Sequence, residues 1–268
     1  MADEVGADGW RLKGGVNLRL FFGSPRYSED MDLGGLPRAR ERLRRDLKRI
    51  LSAKAFRQRL AHVGIRDIGP ANIRPSKDSE TTLRFKLGLF VGGGVSLSTK
   101  IEVSFRQGCP EDEVLVERVD DKIAGRYLDS VELPLFVPHY PKVPAMRQKI
   151  AALAGRSYAQ ARDVFDLHLI TGGSLSGVDL TVLRRNLSNA TLREASSRAL
   201  GLPQKEYEDK VLEFLDPEDR AKFANTWEDQ QLFAWELTEV LLLLPGGPST
   251  RSAENSGPND ARSEAGTG

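Results

Sequence analysis

Near its start the chain runs Trp10-Arg-Leu-Lys13, then Gly14-Gly15, then an apolar run from Val16 to Phe22, and then Asp30-Met-Asp32. No other stretch restricts the fold as strongly. A glycine pair between a short strand and a short helix lets backbone approach a phosphate closely and aims helix N-terminal N–H groups at it. Gly23-Ser-Pro25 ends the helix, because proline cannot continue one. Tyr27 to Leu33 then alternates, which predicts a strand with Ser28, Asp30 and Asp32 on one face and Met31 and Leu33 on the other. Two carboxylates that close repel unless protonated or neutralised by a cation. A hard divalent ion such as Mg2+, which takes one or two carboxylates plus substrate phosphates, answers that need. Singly, Asp-x-Asp is also a common solvated strand face and Gly-Gly a common tight turn. Their order is what points to a site.

From Pro37 to His62 the pattern predicts one helix, with Leu43, Leu47, Ile50 and Leu51 as its apolar stripe and Gly64 as its stop. Its cations (Arg38, Arg40, Arg42, Arg44, Arg45, Lys48, Arg49, Lys54, Arg57, Arg59) face only Glu41 and Asp46. Such a face binds a phosphate backbone or is simply solvated. Leu83, Phe85, Leu87 and Leu89 mark one alternating strand, and Ile101, Val103 and Phe105 another. Gly92-Gly93-Gly94 between them predicts a hairpin with a connection longer than two residues. Pro134 to Pro144 reads as an extended linker. Beyond it, Ala145–Arg156 and Ser157–Ile170 read as two helices or as one broken at Gly155, closed by Gly172-Gly173-Ser174, and further helices fill residues 179 to 244.

The resulting fold class is α+β, with a mixed-sheet domain over residues 1–133, a helical domain over 134–244 and a disordered tail over 245–268, which lacks aromatic and long aliphatic residues. The single cysteine, Cys109, excludes an internal disulfide and fits a reducing cytoplasm. His62, His139 and His168 are scattered and make no zinc cluster with it. The absence of a signal segment and of a long apolar run argues against export and against a membrane.

Glu102 extends the carboxylate pair. It lies on the polar face of the Lys100–Phe105 strand, and three carboxylates from two adjacent strands suit two metal ions and displacement at phosphorus. By itself Glu102 is equally an ordinary outward-facing strand residue.

The motif Lys13-Gly-Gly, a short helix and Arg26-x-Ser28-x-Asp30-x-Asp32 resembles the polymerase-β-like nucleotidyltransferase fold, and in particular the AbiEii-type nucleotidyltransferase toxins. Lys100-Ile-Glu102-Val resembles the strand of the third carboxylate. Lys149, followed by Arg162-Asp163-x-x-Asp166-Leu167, resembles the family's second half, so the likeness spans about residues 10 to 170. It implies that Asp30, Asp32 and Glu102 bind a two-metal Mg2+ site and that Gly14 and Gly15 cradle the phosphates of an NTP. Lys149 contacts the triphosphate, a compact positive charge suited to that task, and Asp163 or Asp166 completes the site. Without the family, Lys149 would be an exposed cation, and Asp163 and Asp166 first-turn surface acids. Arg26 and Ser28 flank the nucleotide, and Ser28 is placed where relatives are silenced by phosphorylation.

The activity implied is transfer of NMP from an NTP to an RNA such as tRNA, by the toxin of a toxin–antitoxin pair with a cognate antitoxin protein. The basic helix, directly after the aspartate strand, would hold the RNA through Arg38–Arg59. Two other readings share the motif: a transferase acting on an antibiotic, and a non-catalytic RNA- or protein-binding relative. An Arg-rich helix disfavours a cationic aminoglycoside as acceptor. Two departures from the family pattern bear on the last reading. Val16 stands where a threonine hydroxyl is usual, and the segment before Lys13 is shorter than the helix that relatives carry.

Overall fold

Strand β1 (Trp10–Lys13) runs directly into helix α1 (Gly14–Phe21), and β2 (Asp30–Gly35) returns antiparallel to β1 in this computed structural model, which describes residues 9–70, 72–106, 113–125 and 134–246. A 3-10 turn at Pro37–Ala39 leads into α2 (Arg40–Ser52) and α3 (Lys54–His62). Five strands follow, β3 (Asp67–Gly69), β4 (Lys77–Ser79), β5 (Thr82–Gly92), β6 (Val95–Ser104) and β7 (Leu115–Arg118), then α4 (Asp121–Ala124) and β8 (Phe136–His139). They form one mixed eight-stranded sheet in the order β3-β5-β6-β2-β1-β8-β7, with β4 on the flank of β5. The pairs β2–β6 and β1–β8 are parallel and the rest antiparallel.

Register sorts this sheet into two unlike faces. Leu12, Leu33, Val103 and Leu83 lie in one cross-strand row, and all four are buried. With Phe85, Ile101 and Val137 they form a core beneath Leu43, Leu47, Ile50 and Leu51 of α2. Each such leucine contributes about 1.5–3 kcal/mol relative to an exposed one, so Leu47→Ala would open a cavity under α2. One residue along, the row is Lys13, Asp32, Glu102 and Arg84, pointing to the opposite face because side chains alternate. Two residues further, Asp30 lies opposite Lys100, and Lys100 opposite Lys86.

The carboxyl-terminal half is helical: α5 (Lys142–Gly155), α6 (Ala161–Thr171), α7 (Leu180–Arg184), α8 (Asn189–Gly201), α9 (Gln204–Lys210), α10 (Pro217–Phe223) and α11 (Trp227–Leu243). It has its own core, which includes Met146, Ile150, Phe165, Leu192, Tyr207 and Leu237. Helix α1 joins the two cores. Leu18 packs into the helical core, whereas Val16, Leu20 and Phe21 pack on the sheet core. Asn17 adds a polar stitch, donating to the Tyr140 carbonyl at 2.9 Å and meeting His139 Nδ1 at 3.0 Å.

Four local expectations need correction. The Pro37–His62 helix is broken at Ala53, whose ψ of 137° is extended. The aspartate strand begins at Asp30 rather than Tyr27, because Tyr27 and its neighbours are tied elsewhere, the Tyr27 N–H donating to the Phe214 carbonyl at 2.9 Å. The Pro134–Pro144 stretch is no linker: it holds β8 and the first turn of α5. Finally, Gly93-Gly94 alone turns the β5–β6 hairpin, with Gly92 opposite Val95 and φ of +59° and +77°, the positive pair that a tight two-residue turn requires. Cys109 and most of the tail lie outside the described residues.

Candidate active site

The charged row of the sheet forms one wall of a cavity of about 250 Å3. On that wall lie Gly14, Gly15, Ser28, Asp30, Asp32, Arg84, Lys100 and Glu102. The other wall comes from the helical half and holds Gln148, Lys149, Arg156, Arg162 and Asp163, with Arg26 between the two. Of the ten residues singled out from the sequence, nine line this one cavity. Asp166 lies behind it.

Gly14 and Gly15 are here for space as much as for conformation. Gly14 has φ of +69°, a left-handed value that side chains disfavour, and a Cβ there would lie 2.7 Å from Asp32 Oδ2. A Cβ on Gly15 would lie 2.8 Å from Ser28 Oγ. The glycine pair therefore lets the start of α1 close over Asp32 and Ser28. Ser28 is a loop residue whose hydroxyl donates to the Asp30 carbonyl at 3.0 Å. Val16, by contrast, does not line the cavity; it packs against the sheet core. Its departure from the family pattern removes nothing from the pocket.

The acids of the sheet wall carry counter-cations from neighbouring strands. Lys100 Nζ lies 2.9 Å from Asp30 Oδ2, and the Arg84 guanidinium grips Glu102 Oε2 at 2.5–2.6 Å. Lys13 is half-buried beside Asp32, and desolvation lowers its pKa although Asp32 and Glu102 pull it back up. Among the described residues no group of three or more His, Cys, Asp or Glu is arranged to hold a metal ion. The donor set of Asp30 and Asp32 nevertheless fits Mg2+, which takes hard oxygen and only one or two protein carboxylates, and the missing Cβ at Gly14 leaves Asp32 Oδ2 its room. Glu102 is the least available of the three carboxylates, since both the Nε and Nη2 of Arg84 hold its Oε2.

The helical wall differs in kind. Lys149, on α5, reaches Asp166 Oδ2 at 2.5 Å and Asp163 Oδ1 at 3.3 Å; both acids, on α6, are fully buried. Neither is the surface acid that its position in a first turn suggested, and Lys149 is not an exposed cation. Arg26 approaches Asp166 at 3.5 Å, and Arg156 lies 3.4 Å from Asp163. Burial alone would raise the Asp166 pKa, but the positive charges of Lys149 and Arg26 outweigh it and hold the group below its ordinary value. Asp166 thus does not touch the cavity. It fixes the two cations that do.

Sequence reasoning assigned no role to Arg84, Lys100, Gln148, Arg156 or Arg162. The signal for Arg84 and Lys100 was present, since both lie on the polar faces of alternating strands. Arg156 and Gln148 carried no pattern of their own. The basic helix is not brought to this cavity: α2 covers the apolar face of the sheet, while the carboxylates project from the other.

A mixed sheet bearing this glycine turn and aspartate pair, backed by helices that supply the opposite wall, is a nucleotidyltransferase fold. In fold it is similar to JHP933 from Helicobacter pylori (18% identity, TM-score 0.51, covering 88% of this chain and 85% of that one). It is likewise similar to MenT4, a nucleotidyltransferase toxin from Mycobacterium tuberculosis H37Rv (15% identity, TM-score 0.52, covering 90% and 77%). No curated protein sequence matches the chain. The profile of the family described as nucleotidyl transferase AbiEii toxin, type IV toxin–antitoxin system, matches residues 1–234, and the chain belongs to that family. No helix among the described residues is long and apolar enough to cross a membrane.

Proposed function

We propose that this nucleotidyltransferase toxin transfers a nucleoside monophosphate from an NTP to an RNA acceptor such as tRNA, in a Mg2+-dependent reaction. The observation that carries the reading is the two-walled cavity, with the carboxylates of Asp30 and Asp32 on the sheet side facing Lys149, Arg156 and Arg162 on the helical side. Asp30 and Asp32 would hold the metal, which supplies charge neutralisation and activation of the attacking hydroxyl. The triphosphate lies between the Gly14-Gly15 backbone and Lys149, with Arg156 and Arg162 nearby to balance its charge. Arg26 and Lys149 keep their geometry because Asp166 anchors both, so they need little reorganisation when charge develops on the departing pyrophosphate. Ser28 sits where a phosphate would place negative charge beside Asp30, and a cognate antitoxin is the expected partner of a toxin of this family.

A cationic antibiotic is a poor acceptor for a pocket lined by Arg26, Arg84, Lys100, Lys149, Arg156 and Arg162. The test is incubation with labelled NTP, Mg2+ and total tRNA. Wild type should label the RNA, and Asp32→Ala should lower the rate on the order of 10²–10³-fold, as when other preorganised charge is removed. Equal labelling by the variant would overturn the assignment, and Mg2+-dependent NTP binding in calorimetry would separate a transferase from a binding relative.

A further inference from the structure

On the far side of the sheet, Arg44, Arg45, Lys48 and Arg49 of α2 and Arg74 of the β3–β4 connection line a groove of about 720 Å3 with one acid, Asp78. Asp78 is already shared, by Arg40 and by Arg44 at 2.8 Å. A solvated helix face would spread its charges. Here cations from two separate segments line one concavity. Glu41 approaches Arg44 at 3.7 Å, and Asp46 approaches Arg45 and Arg49 at 3.9 and 4.0 Å. Five cations still share three acids, so the groove keeps an excess of positive charge that suits a polyanion.

The groove is separated from the catalytic cavity by the flank of the sheet. Among the described residues, strand β4 pairs only with β5. Its Asp78 stands opposite Leu83 and so turns toward α2, whereas its exposed Lys77 stands opposite Arg84 and turns toward the cavity face. Arg84 lines the cavity, and Lys86, exposed on the same face of β5, stands opposite Lys100. Cations therefore lead from the groove, around β4, to the carboxylates.

We infer that the groove is a second RNA site, which grips the acceptor by its phosphate backbone away from the reacting end. The chain then passes around β4, past Lys77, to present its terminal hydroxyl in the cavity. This rests on the transfer reading above and adds to it that the acceptor must be long. A short oligonucleotide can fill the cavity but cannot reach the groove.

The test compares wild type with Arg45→Glu/Lys48→Glu, which keeps helix propensity, and with Arg74→Ala from the other side of the groove. Probes are a tRNA-length structured RNA and a trinucleotide matching its 3′ end. Both variants should weaken binding of the long RNA, the double by about 10-fold or more, with the salt slope falling by about one for each phosphate no longer neutralised. Labelling of the trinucleotide and Mg2+-dependent NTP binding should stay within about twofold, as distant sites are independent. Unchanged long-RNA affinity in both variants overturns the inference, and so does loss of trinucleotide labelling in step with it. Loss of binding to polyglutamate rather than to RNA would also overturn it, assigning the groove to an acidic protein. Asp32→Ala should retain full long-RNA binding; if wild type binds RNA through the groove but labels none, the groove stands and the transfer reading falls.

Discussion

The two walls of the cavity carry similar charges in opposite circumstances. On the sheet wall, Asp30 is about a quarter exposed and its partner Lys100 about a third. On the helical wall, Asp163 and Asp166 are fully buried and Lys149 nearly so. An exposed ion pair is worth about 0–1 kcal/mol and exchanges readily for another cation. A buried one is costly to assemble, but breaking it leaves an uncompensated charge in a dry place. The sheet wall is thus built to give up its counter-ions to a ligand, and the helical wall to keep its own. The same residue types act by availability on one side and by fixation on the other.

The strongest test of this contrast is Asp166→Ala. It takes the Asp166 carboxylate from Arg26 and leaves Lys149 with Asp163, and stability should fall by about 3 kcal/mol, read as the midpoint of urea unfolding. A variant as stable as wild type would show that the helical wall is no more fixed than the sheet wall.

Acid should reveal the same asymmetry. The Asp166 pKa in the folded chain is held below its ordinary 3.8 by Lys149 and Arg26 acting against burial. A depressed carboxylate contributes stability that is fully present above the unfolded value and is lost as pH falls through the folded one. Wild type should therefore lose stability on acidification below about pH 4. Asp166→Asn, less stable at neutral pH, should lose less over that window. Parallel pH profiles for the two proteins would place the acid-linked stability elsewhere.

The sheet wall was legible in the sequence because its parts are local: Gly14-Gly15 and Asp30-x-Asp32 announce themselves by spacing, and alternation put Glu102 on a polar strand face. The helical wall was legible only through family likeness. Lys149, Asp163 and Asp166 are residue types that normally face water, and nothing in their periodicity says that they bury one another. Strand β8 was hidden for a related reason. Pro138 argues against an inner strand, yet β8 meets β1 at a single pair, Leu12 with His139, and so needs no full ladder on that side. The break at Ala53 has neither glycine nor proline to mark it. The basic helix was legible as a charged face, but its place in the sequence directly after the aspartate strand does not say which side of the sheet it covers.

Gly14→Ala probes the seam between the walls. The positive φ alone should cost about 1–2 kcal/mol, and the new Cβ, 2.7 Å from Asp32 Oδ2, must push that carboxylate aside. Stability should drop modestly while Mg2+-dependent NTP binding drops more. Gly23→Ala, where φ is +66° but a Cβ would meet nothing within 4 Å, isolates the conformational part. If both variants bind NTP alike, the close approach to Asp32 has no functional weight.

The smallest effect on stability should come from the residue most important to the proposed chemistry. Removing the Asp32 carboxylate takes a favourable charge away from half-buried Lys13, whose pKa desolvation already lowers. It also relieves repulsion from Glu102, its register partner on β6. These terms oppose, and the site is open to water, so Asp32→Ala should change stability by about 0.5 kcal/mol or less. Unfolding measured at low and high salt should agree to the same extent, since little unscreened attraction is lost. A fall above about 2 kcal/mol would put Asp32 with the buried network, and the division of labour between the walls would collapse.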